Sequence, residues 1–98
     1  MSVVVVNRLT FSVPVESVVP SVQDRFPAAF DGCPGFERFE LVKVSDTAAI
    51  VLIHWADAQA AADGAARIGP TVFREVIGPL LAAEQVREAG PVVVSHPA

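Results

Sequence analysis

Val3-Val4-Val5-Val6-Asn7-Arg8-Leu9-Thr10-Phe11 is the stretch on which the fold turns. Its β-branched residues favour an extended chain, and along a strand successive side chains point to opposite faces. Val3 and Val5 then face one side of a sheet and Val4 and Val6 the other. A strand apolar on both faces belongs at the centre of a sheet that is covered twice. The run stops at Asn7-Arg8, far short of the roughly 20 apolar residues that a membrane helix needs. With no basic stretch before it and no small-residue cleavage site after it, it also lacks the layout of a secretory signal. The expectation is a cytoplasmic chain.

Outward from this strand, Pro14 closes it, and Val15, Val18, Val19, Val22, Phe26, Ala29 and Phe30 recur at three- and four-residue steps. That is the stripe of an amphipathic helix. Pro20 fits if the helix proper starts near Ser17 or Val19, whereas Pro27 removes an internal hydrogen bond and predicts a broken last turn. Asp31-Gly32-Cys33-Pro34-Gly35 is a connection. Phe36 to Val44 and Ala48 to Trp55 read as two strands of an antiparallel hairpin turning at Ser45-Asp46-Thr47. Asp57 is a good N-cap for an alanine-rich helix over Ala58 to Ala66, which Gly69-Pro70 stops. A further helix, beginning at Pro70 or Thr71 and bent at Gly78-Pro79, carries Val72, Phe73, Val76, Ile77, Leu80 and Leu81 as a paired stripe. Pro91 to Ser95 is read as the closing strand.

The order β-α-β-β-α(α)-β is that of a ferredoxin-like α+β domain, an antiparallel sheet with helices on one face, and residues 1–98 make one such domain. One layer of helices cannot cover both Val3/Val5 and Val4/Val6. The economical solution is two sheets packed face to face, so a homodimer is expected. Composition agrees: 52% hydrophobic and 18% charged residues in 98 positions, with mean hydropathy +0.49, exceed what one small core needs.

The same totals exclude several classes. A net charge of −4 with seven scattered Lys and Arg gives no basic footprint for nucleic acid. A single cysteine, Cys33, rules out an internal disulfide and any multi-cysteine zinc site, and His54 and His96 form no metal-binding spacing. No metal is expected.

Among candidate functional residues, Asn7 is the polar break in a valine-rich strand, and a buried amide left unpaired costs about 1–3 kcal/mol. It hydrogen-bonds either a ligand in a pocket or the backbone. Trp55 brings a large apolar body and one N–H donor, suited to stacking on a flat ligand or to closing the core. His54, its neighbour, must face the opposite side of the sheet. Its imidazole makes it a candidate base; as an interface residue it needs no such role. Arg8 and Arg38 can pair an anion or a nearby carboxylate. The alanines of the second helix either allow close packing or leave room for a ligand.

Val6-Asn7-Arg8-Leu9-Thr10, Arg25-Phe26, Pro34-Gly35-Phe36 and Trp55-Ala56-Asp57, in this order and on these elements, resemble the antibiotic-biosynthesis monooxygenase domain, including its haem-degrading branch. The resemblance implies a dimeric α+β barrel with an apolar pocket between the sheet and the helices of each subunit. It implies oxygenation of flat aromatic or polyketide-like compounds without metal or flavin, the substrate's own anion reducing O₂ while the protein orients it. Asn7 and Trp55 take the orienting positions, with His54 the candidate base. Core and pocket share a wall in this family, which makes Phe26, Phe30, Phe73 and Ile77 the candidate substrate-binding residues. Aligned on Val72-Phe73, Ile77 stands where the haem-degrading branch has its iron-ligating histidine, and that branch's pocket tryptophan falls near Gly64 or Arg67. No haem is therefore expected; the alternatives to an oxygenase are a haem or lipophile binder and a dimeric module without chemistry. The chain has no tyrosine to act as a phenolic donor.

Overall fold

In the computed structural model, which describes residues 1–98, the valine run is strand β1 (Val3–Thr10) and is paired on both sides. Strands β2 (Phe36–Lys43) and β3 (Ala48–Trp55) form the expected hairpin, and β4 (Val86–Pro91) closes the sheet in the order β2-β3-β1-β4, every pair antiparallel. This is the ferredoxin-like α+β topology. Helix α1 (Val15–Asp31) and helix α2 (Ala58–Ile68) supply the helical layer. The sheet face beneath them holds Val3, Val5, Asn7 and Leu9 of β1 and Ala49, Val51 and Trp55 of β3, all buried. On the opposite face Val4, Val6, Ile50 and Leu52 are half-buried and Arg8 is exposed.

Helix α1 buries Val15, Val18, Val22, Phe26 and Phe30, the stripe expected from spacing. It does not break at Pro27, however, and it starts at Val15, before Ser17 or Val19. Both prolines lie on its exposed side. The Glu16 and Gln23 carbonyls that lose a backbone donor there can turn to water, so the helix continues where a buried proline would have stopped it. The buried side is held by aromatic packing. Phe30 stacks on Phe36 with centroids 4.6 Å apart and meets Trp55 edge-on at 6.1 Å, and Phe26 stacks on Phe39 at 5.3 Å. Lys43, at the end of β2, is ion-paired with Glu16 and keeps that carboxyl below its usual range.

Two elements differ from the sequence reading. The helix expected from Pro70 or Thr71 onward is a π-helical turn (Gly69–Phe73), one short α turn that we label α3 (Arg74–Val76), and a 3₁₀ turn (Gly78–Leu80). Pro70 has no N–H to offer the Ala66 carbonyl, and the chain closes the wider turn through the Arg74 N–H to the Gly69 carbonyl. The Thr71 hydroxyl donates to the Arg67 carbonyl at 2.6 Å. The closing strand is not Pro91–Ser95 but Val86–Pro91, paired to β1 from Arg8↔Val86 to Val3↔Pro91. Val93 and Val94 are instead 78% and 84% exposed. Register with β1 outweighs the weak strand propensity of Arg87-Glu88-Ala89-Gly90, as it can at a sheet edge. No helix is long and apolar enough to cross a membrane.

Candidate functional site

Beneath α2 and the π turn, the inner face of β1, β3 and β4 bounds an open cavity of about 210 Å³. Its floor is Val5, Asn7, Ile53 and Trp55; its roof is Ala61, Gly64, Ala65 and Ile68, passing into Gly69 and Phe73. The short side chains of α2 create the space, since leucines at Ala61 or Ala65 would fill it. Gln85 and Arg87, both exposed, form the mouth where β4 leaves the helical layer.

Asn7 is 6% exposed, and its Oδ1 is the one buried side-chain nitrogen or oxygen in the chain without a hydrogen-bond partner. Directly opposite it across the β1–β4 ladder stands Arg87. Side chains so paired share a face with Cβ atoms about 4.5–5.5 Å apart. No carboxylate lies within 4.0 Å of the Arg87 guanidinium. An amide and an unpaired cation thus stand together at a cavity whose lining is apolar apart from them and Gln85.

Of the residues picked out in the sequence, Asn7, Trp55 and Phe73 reach this cavity. Phe26, Phe30 and Ile77 do not. They are closed into the core on the far side of the Trp55 ring or beneath the short turns, at 1–2% exposure, so the shared wall is narrower than the resemblance implied. His54 also lies elsewhere: alternation along β3 sends it to the outer face, where its Nε2 is 3.3 Å from Glu40, itself 3.2 Å from Arg38. No protein base lines the cavity. Arg87 and Gln85 were missed because the closing strand was placed five residues late; the alternation Val86-Arg87-Glu88 next to a valine-rich partner was the available signal.

The haem implied by the degrading branch does not fit these residues. The cavity wall has no histidine, cysteine, methionine or tyrosine to ligate iron; His54 is across the sheet and His96 is in the exposed tail.

Comparison with solved structures places this architecture. The cofactor-independent oxygenase SnoaB from Streptomyces nogalater superposes with a TM-score of 0.79 over 99% of this chain and 98% of its own, at 23% identity. The ActVA-Orf6 monooxygenase of Streptomyces coelicolor, solved with nanaomycin D, gives 0.78 over 99% and 93% at 19% identity. The fold is that of the antibiotic biosynthesis monooxygenases. A Caulobacter crescentus protein assigned to the same group gives 0.74 over 95% and 91% at 20% identity. The sequence itself matches no family model and no curated protein. At such identities the likeness speaks for the fold, and the chemistry rests on the cavity.

Proposed function

We propose that this chain is a cofactor-independent monooxygenase acting on a flat, apolar, phenolic or polyketide-like compound. The observation that carries the reading is the unpartnered Asn7 carboxamide, buried in an apolar cavity beside the Arg87 cation. An orphaned buried acceptor costs about 1–3 kcal/mol, and a ligand hydroxyl that meets it once the amide turns toward the cavity would recover that cost. Trp55 and Phe73 offer faces for an aromatic ring.

The chemistry follows from what surrounds the ligand. For a substrate of anthrone type, loss of a proton gives a delocalised anion that transfers electrons to O₂. One oxygen atom becomes the new carbonyl of the product, the other leaves as water, and the reacting CH₂ carbon is oxidised. No group in the cavity is a strong base, so its contribution is to stabilise the anion. Arg87 supplies charge, Asn7 supplies a fixed dipole, and the proton leaves through the open mouth to solvent. Positioning and electrostatic stabilisation of this kind carry large rate effects in a low-dielectric site. His54, on the outer face, takes no part in this scheme.

The chain pairs with a second copy of itself through the outer sheet face, apart from the cavity. Val4, Val6, Ile50 and Leu52 form an apolar patch on the sheet face that no helix covers, with Arg8 and Glu88 on neighbouring strands offering both charge signs to a two-fold partner. A second copy satisfies such a self-complementary face.

Oxygen uptake with anthrone, in the wild-type chain and in Asn7→Ala, tests the proposal. Uptake above the buffer rate that falls at least tenfold in the variant supports it; equal rates in both proteins overturn the role of Asn7, and no uptake in either overturns the activity. Haemin titration provides the contrast: a sharpened Soret band would favour the binding-protein reading.

A further inference from the structure

Gly64 lies in the middle of an alanine-rich helix, where glycine is less favourable than alanine. Alanine occupies positions 60, 61, 62, 65 and 66 around it. What sets this position apart is the Trp55 indole. A Cβ on Gly64 would stand 2.1 Å from Trp55 Cη2, 2.4 Å from Cζ2 and 2.7 Å from Cζ3, all far too close for van der Waals contact. These atoms are the far edge of the six-membered ring, which rests directly on the helix backbone.

The ring has little freedom to yield. Phe30 at 6.1 Å and Phe36 at 5.7 Å meet it edge-on and belong to the stacked phenylalanine group of the core. Helix α2 is held down nearby by Gly35, whose own missing Cβ would stand 2.6 Å from the Ala60 methyl, and by buried Ala61 and Ile68. The remaining open direction is the cavity, which Trp55 and Gly64 both line.

We infer that Gly64 is the specificity-determining position of this site: its missing side chain receives the Trp55 indole, and the pair sets how deep a ring system the cavity admits. The inference rests on the reading of the cavity as a substrate site. Any side chain at position 64 drives the indole into the space that the ligand would use. The cavity then keeps its polar end, Asn7 and Arg87, and loses length.

Trp55 is the only tryptophan, so its fluorescence reports its own position without interference. The test compares wild type, Gly64→Ala, Trp55→Phe and the double variant Gly64→Ala/Trp55→Phe. Affinities for phenol and for anthrone are taken from calorimetry, and emission and acrylamide quenching from the two tryptophan-containing proteins. In G64A the emission should move to the red, quenching should rise, and the anthrone-to-phenol affinity ratio should fall at least tenfold. The double variant should recover the ratio of W55F, because phenylalanine lacks the ring edge that meets the new methyl. Unchanged emission and an unchanged ratio in G64A overturn the inference. If G64A fails to fold, a folded double variant with the stability of W55F supports it, whereas a double variant as damaged as G64A shows that glycine serves helix packing alone. If wild type binds neither probe, the substrate reading fails by itself, and the fluorescence and folding comparisons still decide whether Gly64 receives the indole.

Discussion

Asn7 occupies a position that burial alone would give to a valine: the inner-face residues on either side of it along β1 are Val5 and Leu9. A structural asparagine would be hydrogen-bonded, and its replacement would cost stability. Because Oδ1 is orphaned, Asn7→Val should do the reverse, raising stability by about 1–3 kcal/mol in a denaturant melt while removing affinity for phenolic probes. A loss of stability would mean that the amide has a structural partner. For Arg87, replacement by glutamine keeps a polar group at the mouth but removes the charge. Binding of a probe ionised at the assay pH should weaken by roughly tenfold, an effect of about 1.4 kcal/mol, and that difference should shrink as salt rises. A neutral probe of the same shape should be indifferent to the change.

At the scale of elements, α1 runs through two exposed prolines. Interior proline costs a helix up to about 3 kcal/mol, and Pro27 is exposed. Pro27→Ala should therefore raise the melting temperature by several degrees, each kcal/mol being worth about 4–8 °C in a domain of this size; a lower melting temperature would show that the ring has a packing role. The same helix shows what was legible in the sequence. Its buried stripe, the β2–β3 hairpin, the Asp57 cap and the central place of β1 all follow from periodicity and capping, which are local. Proline consequences were misjudged because they depend on which side of the helix meets water. The closing strand was misplaced because Val92-Val93-Val94 has the stronger intrinsic strand propensity, while Val86–Pro91 is selected by its register with β1, a long-range property. The site inherited that error: Asn7, Trp55 and Phe73 were legible as a polar break and large rings on the right elements, but Arg87 became visible only once β4 was placed.

The whole molecule leaves one sheet face without helices. Leu52, paired with Val6 on that face, is the position at which a partner would least tolerate an introduced charge. Leu52→Glu should convert a particle of twice 10.3 kDa into a single chain by sedimentation equilibrium, with circular dichroism showing the fold retained; a wild-type chain that already sediments at 10.3 kDa would remove the dimer. Because the cavity lies on the other face of the sheet, a folded monomeric variant should keep its probe affinity to within a factor of a few.

The wide turn between Gly69 and Phe73 lends this architecture a mode of variation that point substitution cannot reach. A π turn takes up one extra residue, and each helical residue advances the chain by about 100°, so a single-residue deletion there would return the backbone to an ordinary spiral and re-aim only the residues within the turn. Val72 now faces the interior and Phe73 the cavity, and losing one residue would exchange such neighbours in one step. Descendants of a chain like this one can therefore remodel the back of the cavity through loss or gain of one codon, leaving the sheet and its polar pair untouched.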